Sequence, residues 1–309
     1  MGFKFRSTFP YQYPHKIAYD KRLALIGSCF TERIGERFKK ANFLVDNSFF
    51  GTLFNPSSIF GLLSLALEDG AFYSDLICQK DNRFVHFLSH STVDGNTPSE
   101  VMGALQKERV RLKGALEQSD FLFITLGSSY AYKHKESGVI VANCHKQKQS
   151  EFEKVLLPIS TMMDEAKKAL DLIFKTNNSI KVILTVSPVK HLRDGVIENK
   201  LSKSQLRVLC NEIQLAFKEV SYLPVLEWVE EDLRDYRFYE RDLAHPNEMA
   251  EQYIWERVQE AILGEGLAET IGQVLNLKDK IQKQGLEKLK ESDRDKLEEL
   301  NKLLPIAIS

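Results

Sequence analysis

The sequence is poor in the signals that mark specialised classes of protein. Its four cysteines, Cys29, Cys78, Cys144 and Cys210, lie far apart and form no CxxC pair, which argues against a zinc ribbon or a disulfide framework and suits free thiols in a reducing compartment. Charge of one sign is missing too: 42 Lys and Arg oppose 43 Asp and Glu, for a formal net charge of -1. Nothing therefore draws the chain to polyanions in general, and nucleic acid is not an expected partner. No stretch approaches the roughly 20 apolar residues of a membrane span. The opening residues, MGFKFRSTFPYQYPHK, hold no continuous apolar segment of signal-peptide length, so a cytoplasmic chain with no membrane partner is expected.

What the sequence does contain is enough apolar material for a large core, 43% of 309 residues, in one domain or two. Short runs rich in β-branched and aromatic residues at 22–26, 43–47, 121–126, 181–186 and 223–226 predict five buried strands. Helical periodicity falls between them, at 31–41, 57–67, 99–117, 152–174, 202–219 and 247–263. Strands that alternate with helices predict a parallel, doubly wound α/β sheet. Segment 68–97 breaks the rhythm, and its FVHFL stretch at 84–88 is expected to be an accessory strand or part of a lid. Beyond Gly264 the composition turns charged, with apolar residues at broken helical spacing. Residues 1–263 are thus expected to form the main domain. Residues 264–309 are expected to form a helical extension, possible contact for a second copy of the chain.

In an open parallel sheet, chemistry gathers at the carboxyl ends of the strands. After the first strand stands Gly27-Ser28-Cys29-Phe30, where Gly27 permits a tight turn and the following helix N-terminus favours negative charge. Ser28 is a candidate nucleophile here, although a serine at this position is also an ordinary helix cap. Near the far end, Asp242-Leu243-Ala244-His245 precedes the last helix of the main domain. An Asp three residues before a His can orient and charge-stabilise an imidazole that deprotonates a serine; surface pairing of Asp242 with Arg241 is the plainer reading. Cys29 is expected to pack beneath the turn rather than to attack. His134 and His145 match no established metal-ligand spacing. Arg234, Arg237 and Tyr239 read as a solvated face.

The two ends together resemble the SGNH, or GDSL-type, hydrolases, and most closely the GSCFA branch, through GSCFT at 27–31. The motifs IGSCFTERIG, FGTLFNPSSI, TLGSSYAY, VANCHK, LTVSPVKHLRDG, LSKSQLR, LRDYRFY and DLAHPNEMAEQYIWER stand in order across residues 20–260. The resemblance implies a three-layer α/β/α sandwich of SGNH-hydrolase, flavodoxin-like type, with a five-stranded parallel sheet of order 2-1-3-4-5. It also implies a serine esterase with Ser28, His245 and Asp242 as its triad, acting on an acyl ester of O-acetyl type, such as one on a carbohydrate, without metal or organic cofactor. Ser28 and Gly51 would donate backbone N–H groups to the oxyanion. The superfamily's third donor is an Asn after the third strand, and here Gly127-Ser128-Ser129 puts a serine there. Asn143 is the preferred substitute, with Asn55 behind it. Ser129, Asn55 and His191, which follows the fourth strand, are expected to contact substrate. Acyl transfer to an alcohol, or a silent binding module on the same fold, are the alternative readings.

Overall fold

A computed structural model describes residues 11–308. Five parallel strands form the central sheet: β1 (Arg22–Gly27), β2 (Leu44–Asn47), β6 (Phe121–Leu126), β10 (Lys181–Val186) and β11 (Val220–Tyr222). Their spatial order is β11-β10-β6-β1-β2, which is 2-1-3-4-5 when only these strands are counted. Successive side chains on a strand face opposite sides, and the core divides accordingly. Ala24, Ile26, Leu122, Ile124, Val182 and Leu184 pack beneath one layer, α2 (Pro56–Leu67), α3 (Pro98–Gln118), α4 (Ile159–Thr176) and α5 (Val196–Ala216). Leu23, Leu25, Phe121, Phe123 and Ile183 pack beneath the other, α1 (Cys29–Lys40) and α7 (Glu248–Ile262). The result is a three-layer α/β/α sandwich.

Two small antiparallel sheets interrupt the winding: β3 (Ile77–Lys80), β4 (Arg83–His86) and β5 (Asp94–Gly95), and then β7 (Tyr130–His134), β8 (Ile140–Val141) and β9 (Phe152–Leu156). Leu76, Phe87, Val141 and Phe152 bind them into a third small core. Segment 84–88 therefore does carry an accessory strand. The helix expected over 152–174 is different: its first five residues are β9, and the helix starts only after Pro158, which cannot donate to a preceding turn. The last strand is also displaced, from 223–226 to Val220–Tyr222, because Pro224 cannot join a ladder and starts the short helical turn α6 (Val225–Glu227).

Past Gly264 come two helices, α8 (Leu267–Gln284) and α9 (Glu291–Leu303), separated at Gly285 with φ +87°. Ile271, Val274, Leu277, Leu300 and Leu304 are buried in the same core as Phe38 and Trp255, so the apolar positions of the extension lie against the chain's own main domain. None of the described helices is long and apolar enough to cross a membrane.

Candidate active site

Ser28 is set by the turn between β1 and α1. Gly27 adopts φ +136°, and a Cβ there would sit 2.2 Å from the Thr125 carbonyl oxygen on the neighbouring strand, so only glycine fits without moving the sheet. Ser28 is the N-cap residue of α1, yet its side chain makes no capping hydrogen bond. The hydroxyl is buried, with the residue 2% exposed, and has no hydrogen-bond partner among the described residues. The Thr31 hydroxyl on the first turn of α1 is buried without a partner in the same way. Ser28 borders a crevice of about 10 Å³ shared with Thr31, Glu32, Gly51 and Thr52. Gly51 has φ +73°, and a Cβ on it would lie 2.5 Å from that of His90.

Asp242 and His245 sit in a hairpin-like loop closed by pairing of Tyr239 with Pro246 and by a bond from the Glu240 N–H to the His245 carbonyl, 2.8 Å. Asp242 organises this loop. Its Oδ1 accepts the backbone N–H groups of Ala244 (2.9 Å) and His245 (3.0 Å), and its Oδ2 lies 2.6 Å from His245 Nδ1. Those two N–H groups, and then the imidazole, hold the carboxyl well below the usual Asp range. With the carboxylate on Nδ1, that nitrogen carries the proton and Nε2 presents its lone pair. Asn247 then caps α7 by accepting the Ala250 N–H.

One backbone bond ties this loop to the sheet edge, and two side-chain contacts tie α7, the helix that follows it, to α1. The Lys190 N–H, on the loop after β10, donates to the Ala244 carbonyl at 3.1 Å. Arg33 of α1 pairs with Glu251 of α7 at 2.8 Å, and Arg37 donates to Gln252. The helices that follow Ser28 and His245 are thus linked to each other, and Ser28 Oγ does not hydrogen-bond the imidazole in this structure. Bonds of this kind often form only once substrate is bound.

The expected oxyanion donors are not gathered at one point. The Ser28 N–H donates to Thr125 O at 3.2 Å and the Gly51 N–H to Ser48 O at 3.0 Å. Asn143 lines a separate, larger cavity of about 590 Å³, with its Oδ1 accepting the His145 N–H at 2.8 Å. Asn55 borders that cavity too, but caps α2 through Oδ1 and donates from Nδ2 to Val141 O. His191 lines it with its ring edge-on to Phe54, centroids 5.4 Å apart, and Ala244 brings the dyad loop to the same wall. Ser129 lines neither space. It is wholly buried, and its hydroxyl donates to Gln205 Oε1 at 2.8 Å.

Beneath these groups lies a floor that the sequence analysis missed. Asn199, Ser202 and Lys203 project from one face of α5 into the ends of β6 and β10. Asn199 Oδ1 accepts the His191 N–H, and Ser202 Oγ accepts the Ser129 N–H. Lys203, 3% exposed, donates from Nζ to Gly127 O (2.6 Å) and Ser187 O (2.8 Å). Burial without a paired carboxylate pushes its ammonium down to about 7. A signal was there: these residues continue the stripe of Leu206, Leu209, Cys210 and Ile213 at spacings of three and four, so polar side chains occupy core positions.

Two other groups fall to structural roles. The His145 ring is buried between Ser91 Oγ and the His86 carbonyl, and burial lowers its pKa to about 4. The Cys29 thiol is pushed up by burial, which disfavours a thiolate beside Ser28. No cluster of His, Cys, Asp and Glu fit to hold a metal occurs among the described residues.

No curated protein matches the chain. Solved structures of broadly similar shape include a Streptococcus pneumonia protein assigned as a platelet activating factor, with 11% identity, TM-score 0.40, and coverage of 78% of this chain and 83% of that one. A Bacteroides fragilis protein assigned as an acylhydrolase has 8% identity, TM-score 0.34, and coverage of 84% and 91%. A carbohydrate esterase family 2 enzyme with its carbohydrate-binding domain, from Corynascus thermopiles, has 11% identity, TM-score 0.38, and coverage of 84% and 69%. Residues 22–258, which run from the first strand through the dyad loop into α7, match the model of the GSCFA family, and the chain belongs to that family.

Proposed function

We propose that the chain is a serine esterase of SGNH type that hydrolyses an acyl ester, of O-acetyl type and on a carbohydrate, through Ser28, His245 and Asp242. The observation that carries this reading is the unpartnered, buried Ser28 hydroxyl at the start of α1, on the sheet edge to which the Asp242–His245 pair is tied. In the first step His245 Nε2 takes the Ser28 proton as Oγ attacks the ester carbonyl. The tetrahedral intermediate collapses, and the imidazolium gives its proton to the departing alcohol. Water, deprotonated by His245, then attacks the acyl-enzyme, and collapse returns the proton to Ser28 and releases the acid. Asp242 keeps the imidazole in its productive tautomer and stabilises the cation that forms.

An oxyanion at this point meets the positive end of α1. The Ser28 and Gly51 N–H groups would share their hydrogens between it and their present acceptors, Thr125 O and Ser48 O, and Asn143 is the side-chain amide proposed to join them. The test is release of acetate from short aryl acetates and acetylated sugars by wild type, Ser28→Ala and Cys29→Ala. Loss with Ser28→Ala and survival with Cys29→Ala is expected; the reverse pattern makes Cys29 the nucleophile.

A further inference from the structure

The 590 Å³ cavity has an uneven charge. Its walls carry the rings of Tyr130 and Tyr132 and the amide of Asn143, and its charged side chains are Lys146, Lys190 and Arg193. No carboxylate stands among the described residues that line it. In a chain whose charges balance to -1 overall, three cations around one apolar hollow form a local field that favours an anion.

The backbone holds one of these cations in place at a cost. His145 and Lys146 are consecutive non-glycine residues at φ +50° and +61°, a conformation that L residues avoid and that tends to persist where the surroundings enforce it. Here they do enforce it: Asn143 Oδ1 holds the His145 N–H, and the buried His145 ring is fixed between Ser91 and the His86 carbonyl. The turn delivers Lys146 to the cavity wall. Lys190 is steadied differently, with Nζ 3.7 Å from the centre of the Tyr239 ring. Its backbone N–H holds Ala244, the neighbour of His245, so this cation stands next to the dyad loop.

We infer that the cavity receives an anionic group, a carboxylate or phosphate, carried by the substrate away from its scissile ester. The inference rests on the esterase reading above, keeps its triad chemistry and replaces its acetyl group by a longer acyl chain that ends in an anion. The aromatic rings would cover the uncharged stem, and the three cations would face its charged end.

The experiment compares two aryl esters of equal chain length, 4-nitrophenyl pentanoate and the 4-nitrophenyl monoester of glutarate, on the full-length protein. Exposed pairs each contribute little, so three cations together are expected to favour the glutarate by about tenfold in kcat/KM at low salt. That ratio should fall toward unity in 0.5 M NaCl, where the screening length is short, and in the Lys146→Glu/Arg193→Glu double variant. Equal rates for the two esters, or a preference for the pentanoate, overturn the inference. Binding of the corresponding non-hydrolysable 4-nitroanilides to Ser28→Ala separates the two readings. If neither ester is hydrolysed but the charged anilide binds more tightly and is displaced by inorganic phosphate or acetate, the anion site stands and the esterase reading fails. If the two anilides bind alike, the anion site is wrong whatever the enzyme does.

Discussion

The two ends of the proposed triad are built in opposite ways. Ser28 is part of the core: its turn is dictated by Gly27 against Thr125, and its hydroxyl is sealed from solvent. Asp242 and His245 stand on an exposed loop, with side chains 51% and 42% accessible, held mainly by backbone hydrogen bonds that Asp242 itself collects. The buried end is therefore fixed by packing, and the exposed end by hydrogen bonds, those that Asp242 accepts and those of Glu240, Leu243 and Lys190. A fixed nucleophile and an adjustable base fit a site that closes its last hydrogen bond on substrate.

The harshest way to break this contrast is to remove that carboxylate's function. Asp242→Asn should lower kcat by about 10⁴, since it loses both the tautomer and the charge that the base needs. The fold should survive, because the loop lies outside the core. A melting temperature that collapses along with activity would show that Asp242 serves the structure first.

Next in size is the amide proposed for the oxyanion. Asn143→Ala should reduce kcat by about 10²–10³ with little change in KM. Ser129→Ala should act the other way, costing stability of about 1–3 kcal/mol by leaving Gln205 without its buried donor, while the folded fraction keeps its turnover. Measured kcat, KM and thermal midpoint for both variants sort the roles, and full kcat in Asn143→Ala would remove it from the site.

Lys203 sharpens the comparison from below. Its pKa is about 7 in the folded chain, against about 10.4 for a free lysine. Between those values the unfolded chain binds the extra proton, so this group makes stability rise with pH from about 7 to about 10. Lys203→Met should lower the melting temperature at pH 8.5, where it strands two carbonyls, and the gap from wild type should narrow toward pH 6. A gap that stays constant across this range would mean that Lys203 is not buried as a strained cation.

The smallest effect should come from the link between the two ends. Arg33→Ala removes an ion pair whose arginine is largely exposed, worth about 0–1 kcal/mol. It should slow turnover only a few-fold, without a shift in melting temperature. No change at all would show that the Lys190–Ala244 bond suffices to place the loop.

How much of this was readable from the sequence depended on the range of the interactions concerned. Strand β6 and strand β10 fall where their apolar runs predict, because a doubly covered strand needs continuous apolar sequence. Residues 152–156 do not read as a strand because Glu153 and Lys154, adjacent and both exposed, break the alternation expected of one. Ser28, Asp242 and His245 are candidates in the sequence because each follows a local pattern; of the bonds expected among them the structure holds the one between Asp242 and His245. The burial of Ser129 could not be read in this way, since it depends on α5 crossing the ends of β6 and β10, a contact between residues more than 70 positions apart; that of Lys203 is marked only by its place on the apolar stripe of α5. Asn55 shows the same limit: a cavity-lining asparagine and a helix cap have the same sequence signature.

The most direct test of the central claim is covalent. Wild-type protein treated with a fluorophosphonate should gain one adduct, mapped by tandem mass spectrometry to Ser28 and formed far more slowly in His245→Ala. An adduct on another residue, or labelling of Ser28 at the same rate without His245, would contradict the assignment of Ser28 as a nucleophile activated by that base.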